Sequence, residues 1–252
     1  MIHVDSLKIA SRLAVPQLSL SQAKTTHLVG PNGSGKSTFL AAISGLLPYQ
    51  GSITIEGTEV SSMSTEALAS IRCYLSQSEQ PLFVMDVYQY LLLSAPINCE
   101  TLSNSILLEI IEYLALKLDI ADKLTRKTSE LSGGEWQRVR IAGCCIQVWP
   151  ILNPHARYLF LDEPAAALDI GHEKMLYDLL DEVASFGISV ILSNHDLNRT
   201  LKHAEHVVLL SQGETVAQGL ADEVLTQEWI EKVYQTKVTL MSYENQNVLL
   251  FD

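Results

Sequence analysis

The sequence predicts an α/β fold: a mixed sheet core carrying an antiparallel β subdomain and an inserted α-helical subdomain. Three observations predict it. A short apolar strand, Thr26-His27-Leu28-Val29, passes through a glycine-rich loop into a helix at Phe39-Leu40-Ala41-Ala42. An apolar run at Tyr158-Leu159-Phe160-Leu161 ends in two acids, Asp162 and Glu163, as a buried parallel strand would. Between them, from about residue 80 to 145, apolar residues recur at helical spacing. The 252 residues suffice for one large domain, so 1–252 is read as a single domain.

The elements follow in order. Ile2 to Val4, Thr25 to Val29 and Ser52 to Ile55 alternate as strands, which suits antiparallel strands added to a parallel core. Val87, Tyr90, Leu91, Ile106, Leu107, Ile110, Ile111, Leu114 and Leu118 form a helical stripe, read as subdomain core. From about residue 157 strands and helices alternate: Tyr158 to Asp162, Glu173 to Ala184, Ser189 to Ser193, Leu197 to His203. His206 to Leu210 and Thr215 to Gln218 flank a Gln212-Gly213 turn. Lys237 to Ser242 and Val248 to Phe251, around Asn245-Gln246-Asn247, make a C-terminal hairpin over about 237–252.

The chemistry begins in the glycine-rich loop. Gly30-Pro31-Asn32-Gly33-Ser34-Gly35-Lys36-Ser37-Thr38 fits the phosphate-loop pattern of Gly, four residues, Gly-Lys-Ser/Thr. Glycines let successive backbone N–H groups approach phosphate oxygens with no Cβ between. The helix start adds partial positive charge behind them. Lys36 can reach the terminal phosphates and the Ser37 hydroxyl can ligate Mg²⁺. Asp162, at a strand's C-terminal end where α/β sheets place ligands, would complete the metal's surroundings. Glu163 then stands ready to polarise an attacking water.

A third motif lies between these two. Leu131-Ser132-Gly133-Gly134-Glu135-Trp136-Gln137-Arg138 opens a helix, Glu135 to about Gln147, so amides and a hydroxyl face a second anion. The string resembles the signature of ATP-binding cassette (ABC) ATPases, and the resemblance covers nearly the whole chain. It implies a phosphate-loop ABC cassette that binds ATP and Mg²⁺ and hydrolyses ATP. It also implies a head-to-tail homodimer in which Ser132, Gly133 and Gly134 serve the nucleotide of the second copy. Gln77, after Cys73-Tyr74-Leu75, matches the family's Q-loop glutamine, which contacts Mg²⁺ and water. Ala166-Ala167-Leu168-Asp169 matches the D-loop, with Ala166 where the family usually has Ser. His195, in Ser193-Asn194-His195-Asp196, matches the switch histidine near the γ-phosphate. The remaining histidines, His172 among them, are read as surface or packing residues.

Two features depart from the family. Cassettes often stack the adenine on an aromatic residue of the N-terminal strands, yet no Phe, Tyr or Trp precedes Phe39. Arg12 lies in the corresponding stretch; its guanidinium either stacks on the base or is a solvated charge. Ala23-Lys24 stands where Gly-Glu is usual.

Within the family, the signature string, the Trp149 to Pro154 insertion and the stretch Ser193 to Leu201 resemble the ATPase subunits of bacterial cobalamin importers. That implies integral membrane permease subunits as partners, a periplasmic cobalamin-binding protein as an indirect one, and a place on the cytoplasmic face of the inner membrane. The apolar segment Ser78 to Pro96, with Pro81, Leu82, Phe83, Val84, Met85 and Tyr88, is the expected permease dock. An iron–siderophore cassette is the near alternative. A non-transport cassette acting in DNA repair or translation is the distant one.

Composition narrows these choices. A net charge of -12 argues against a nucleic-acid partner, which calls for a basic face. Cys73, Cys99, Cys144 and Cys145 lack metal-ligand spacing and read as buried thiols. No apolar run nears the roughly 18 residues of a spanning helix, and no secretory signal opens the chain.

Overall fold

The structure, a computed structural model, describes residues 1–22, 24–77, 83–96, 104–243 and 246–251. Ala23, Pro81, Leu82, Cys99 and Asn245 therefore lie outside the described residues. The chain forms two compact units, Met1–Ser64 with Ile191–Asp252, and Thr65–Val190.

The first unit opens with strands β1 (Ile2–Ile9), β2 (Leu13–Leu20) and β3 (Thr25–Val29), helix α1 (Lys36–Ile43), and strands β4 (Gln50–Ile55) and β5 (Thr58–Glu59). The second unit holds α2 (Thr65–Ile71), β6 (Arg72–Leu75), α3 (Val87–Leu93), α4 (Asn104–Lys117), α5 (Gly133–Val148), β7 (Tyr158–Leu161) and α6 (Ile170–Ser185). Strand β8 (Ser189–Ser193) begins in the second unit and ends in the first. There the chain continues with α7 (Leu197–His203), β9 (His206–Ser211), β10 (Glu214–Leu220), α8 (Ala221–Val224), α9 (Gln227–Tyr234), β11 (Val238–Tyr243) and β12 (Gln246–Phe251).

In the first unit the strands run β5-β4-β1-β2-β10-β9-β3. Strand β1 is antiparallel to both β2 and β4, whereas β3 is parallel to β9, so the sheet is mixed. All five residues of β3 are buried, which fits a central strand feeding the glycine-rich loop. The C-terminal strands β11 and β12 pair antiparallel; Val238 and Leu249 sink into a cluster with Val207, Leu209 and Ile230.

Two strands differ from the sequence reading. Strand β1 runs on to Ile9 rather than ending near Val4. Ser6 adopts a φ of 53°, and the register slips between Asp5 and Lys8, so the in–out alternation changes phase there. Strand β2 was not among the expected strands, and it contains Pro16, a residue that strands disfavour. It is tolerated because Pro16 falls opposite Ser6, between the paired positions Val15 and Gln17, in an unbroken β1–β2 register.

In the second unit, β6 and β7 are parallel, with Arg72 opposite Tyr158 and Leu75 opposite Leu161. Helices α3 and α4 both pack on α5. Helix α4 buries Ile110, Ile111 and Leu114, and Leu118 follows just beyond its end. Each such side chain contributes about 1.5–3 kcal/mol on burial, far more than helix propensity could. Cys73, Cys144 and Cys145 are buried free thiols. Cys144's hydrogen bond and burial push the Cys73 thiol well up. Among the described residues, no helix is long and apolar enough to cross a membrane.

Candidate active site

In the first unit, the phosphate loop is a tight backbone cradle. Ser34 N–H donates to Pro31 O at 3.1 Å, and Phe39 N–H donates to Gly35 O at 2.8 Å. Gly30 has a φ of 148°, and a Cβ there would lie 2.1 Å from Leu210 O and 2.7 Å from Ser34 Oγ. No side chain fits that position. Lys36 is only 5% exposed; its ammonium donates to Gly30 O at 2.8 Å and Pro31 O at 3.2 Å. It is thereby folded over the loop and donates to its carbonyls, while a phosphate would accept from the loop's N–H groups. Ser34 Oγ is enclosed without a hydrogen-bond partner, which leaves a buried polar atom for an incoming oxyanion to satisfy. Ser37 and Thr38 begin α1 half-buried, beside Asn32 and Gly33, which are exposed.

Arg12 is exposed, and its backbone lies against this loop. Its carbonyl oxygen would be 2.6 Å from a Cβ on Gly213 and 3.4 Å from one on Gly35. Gly213 N–H in turn donates to Ser34 O at 3.1 Å. The structure thus brings Arg12 and the phosphate loop together. His195 reaches the same unit by another route. Asn194 N–H donates to Leu28 O at 3.0 Å, which pins the end of β8 beside the strand that enters the loop. His195 follows, exposed, and Asn194 Oδ1 accepts from Asp196 N–H at 3.1 Å.

The second unit gathers the acids and the signature. Parallel register sets Leu75 opposite Leu161, so the residues two further on emerge side by side. These are Gln77 and Glu163, and Gln77 Nε2 donates to Glu163 Oε2 at 2.8 Å. Asp162 is 2% exposed and its N–H donates to Leu75 O at 2.9 Å. Glu163 sits at a φ of 49°, a left-handed backbone uncommon for Glu. The strand therefore ends in a sharp turn that aims Asp162 and Glu163 differently.

Ser132 caps α5: its Oγ accepts from Glu135 N–H at 3.2 Å, and Glu135 Oε2 accepts from Ser132 N–H at 2.7 Å. Those bonds to the Ser132 amide and hydroxyl hold the Glu135 carboxyl below its usual range. Ser132 is thus engaged by Glu135 through both its amide and its hydroxyl. Around Gly133 the space is open, whereas a Cβ on Gly134 would stand 2.8 Å from Ala167 O. The signature helix thus meets the backbone of the D-loop stretch directly. Asp169, at the end of that stretch, caps α6 by accepting from His172 N–H at 2.9 Å.

The sequence reading named these residues but missed what joins them. Gln137 Nε2 donates to Pro164 O at 3.0 Å. Arg140 donates to Gln137 Oε1 at 3.1 Å and to Ser76 O at 2.8 Å, so α5 is tied both to the segment after Glu163 and to the residue before Gln77. The available signal was three polar residues close together, Gln137, Arg138 and Arg140, at the head of an apolar run; all are buried here.

A glycine-rich anion cradle between a buried strand and a helix, on a mixed sheet, is the architecture of a phosphate-loop nucleotide-binding protein. The sequence profile of the ABC transporter family matches residues 13–166, and the chain belongs to that family, whose ATP-binding subunits hydrolyse ATP. A vitamin B12 import ATP-binding protein, BtuD, of Vibrio atlanticus is 49% identical over 252 residues, 100% of each chain. A protein of the same name from Photobacterium profundum is 42% identical over 253 residues, covering 100% of this chain and 99% of its own. In fold, the chain resembles a metal-chelate type ABC transporter solved in an inward-facing conformation. The TM-score is 0.77 at 20% identity, over 100% of this chain and 96% of that one.

Proposed function

We propose that this chain is the ATP-hydrolysing subunit of a cobalamin importer. One observation carries the reading: identity of 49% runs the full length of both chains with a vitamin B12 import ATP-binding protein. A cargo-specific ATPase and its counterpart share more than the phosphate loop, and here the likeness extends through the helices between the loop and the acids.

The residues divide the work. The amides of Gly30 to Thr38 and the Lys36 ammonium bind the ATP phosphates and stabilise charge that builds on them. Arg12, exposed beside the loop, stacks on the base. Ser37, Gln77 and Asp162 offer a hydroxyl, an amide oxygen and a carboxylate, the hard oxygen donors Mg²⁺ takes. Gln77 fits that role because its Nε2 is spent on Glu163, which leaves Oε1 to face a cation. Mg²⁺, when bound, neutralises phosphate charge. Glu163 accepts a proton from the attacking water, with its carboxylate held by Gln77. His195 steadies the leaving γ-phosphate. Ser132, Gly133, Gly134 and Asp169 act on the nucleotide of a second copy, so that two ATP molecules lie between two chains.

The cargo never touches such a subunit; permease subunits in the bacterial inner membrane carry it, fed by a periplasmic cobalamin-binding protein. The permease docks beside α3, where Phe83 and Val84 are 71% and 70% exposed. Ser78 to Leu82, the first part of the expected dock, lies outside the described residues. Purifying the tagged chain from native membranes tests the assignment. A cobalamin permease should come with it; an iron–siderophore permease, a DNA-repair complex or ribosomes would overturn it.

A further inference from the structure

His172, read from the sequence as a surface or packing residue, has specific partners. Its ring stands between two carboxylates: Nδ1 is 2.8 Å from Asp169 Oδ2 and Nε2 is 3.3 Å from Asp119 Oδ2. Asp169 is doubly engaged by the same residue, since its Oδ1 accepts from His172 N–H. Asp119 is a junction in its own right. It has a left-handed φ of 52°, and its carbonyl accepts from Arg138 Nη2 of α5 at 3.4 Å. A continuous chain of contacts therefore runs from Asp169 through His172 and Asp119 to the signature helix.

Energetics indicate what this chain is for. The two aspartate side chains are 69% and 66% exposed, and the ring is 23% exposed. Exposed ion pairs of this kind add about 0–1 kcal/mol, too little to matter for folding. A left-handed backbone at Asp119 costs a comparable amount. The cluster contributes little net stability, yet it fixes the Asp169 carboxylate at both oxygens.

We propose that His172 is a positioning residue, which ties Asp169 and its loop to the signature helix so that both present one rigid surface to the second copy of this chain. The proposal rests on the shared-site reading given above. On that reading Ser132 to Gly134 and Asp169 act in trans, and an offset between them would spoil the dimer while leaving each chain's own phosphate loop intact. Gly134 pressed against Ala167 O supplies the direct contact; His172 supplies the lateral one.

The test is ATP-driven dimerisation, read by light scattering in a Glu163→Gln parent. Three variants are added to it: His172→Ala, His172→Asn, and Asp119→Gly, chosen because glycine accepts the left-handed backbone. Each should weaken the dimer roughly three- to tenfold, a coupling of ordinary size for residues in contact. Asn at 172 keeps an amide toward Asp169 but cannot span to Asp119, so it should behave as Ala does. Combining His172→Ala with Asp119→Gly should be no worse than either alone. Binding of a fluorescent ATP analogue to the monomer and the melting temperature should both stay at parental values. The proposal fails if His172→Ala or His172→Asn dimerises like the parent, if the two losses multiply, or if the loss tracks a fall in melting temperature. If the parent itself does not dimerise with ATP, the shared-site reading fails and this inference with it.

Discussion

Gln77 Nε2 donates to Glu163 Oε2 at 2.8 Å, between two positions that sheet register makes neighbours. Because β6 and β7 are parallel, with Leu75 opposite Leu161, two residues past each strand end are neighbours. The glutamine proposed to meet Mg²⁺ and the glutamate proposed to polarise the water thus hold each other.

Glu163→Gln should bind Mg-ATP and hydrolyse it very slowly. The amide keeps the shape and leaves Asp162 in place but removes the proton acceptor. The loss should be roughly 10²–10⁴-fold in single-turnover rate. Near-normal turnover would take Glu163 out of that role.

ATP should convert the Glu163→Gln protein from monomer to dimer, and Ser132→Glu should oppose this. Ser132 caps α5 at its positive end, so an acid there sets a negative charge where the shared-site reading puts a phosphate. Light scattering with and without ATP makes the comparison. A Ser132→Glu protein that dimerises and turns over normally would remove the signature from the shared site.

Phe83→Asp should uncouple the chain from its permease without harming the ATPase fold. Phe83 is 71% exposed, so a carboxylate costs little there in the free chain but much in an apolar dock. Co-purification with the permease should drop while ATP binding survives. Retention of the permease would move the dock elsewhere.

Stability should fall in mild acid because of His27. It is fully buried, with Nδ1 on Thr200 Oγ1 at 3.2 Å, and burial lowers its pKa to about 3. Below pH ~6.5 the unfolded chain takes up a proton that the folded chain refuses, so stability drops as pH falls toward 3. The slope is about 1.4 kcal/mol per pH unit. Urea titrations at pH 7.5 and 5.5 should show it, and His27→Gln should lessen it. An unchanged slope in that variant would assign the acid sensitivity to other groups.

What was legible in the sequence was local. Gly30 to Thr38, Ser132 to Gly134 and Asp162-Glu163 each declare their chemistry within a few residues, because a cradle, a helix cap and a strand end are short-range structures. Strand β2 was hidden because what seats Pro16 in a strand is its place opposite Ser6, on another strand. The bonds from Arg140 to Ser76 and from His172 to Asp119 span 64 and 53 residues. Nothing at either end of such a bond marks the other, and only folding reveals the partner.

Uptake of labelled cobalamin by cells lacking this chain, then resupplied with it, tests the assignment most directly. Wild-type chain should restore uptake, and Glu163→Gln, though expressed and bound to the permease, should not. Full cobalamin uptake in the cells lacking the chain, or full rescue by Glu163→Gln, would contradict an ATPase that drives cobalamin import.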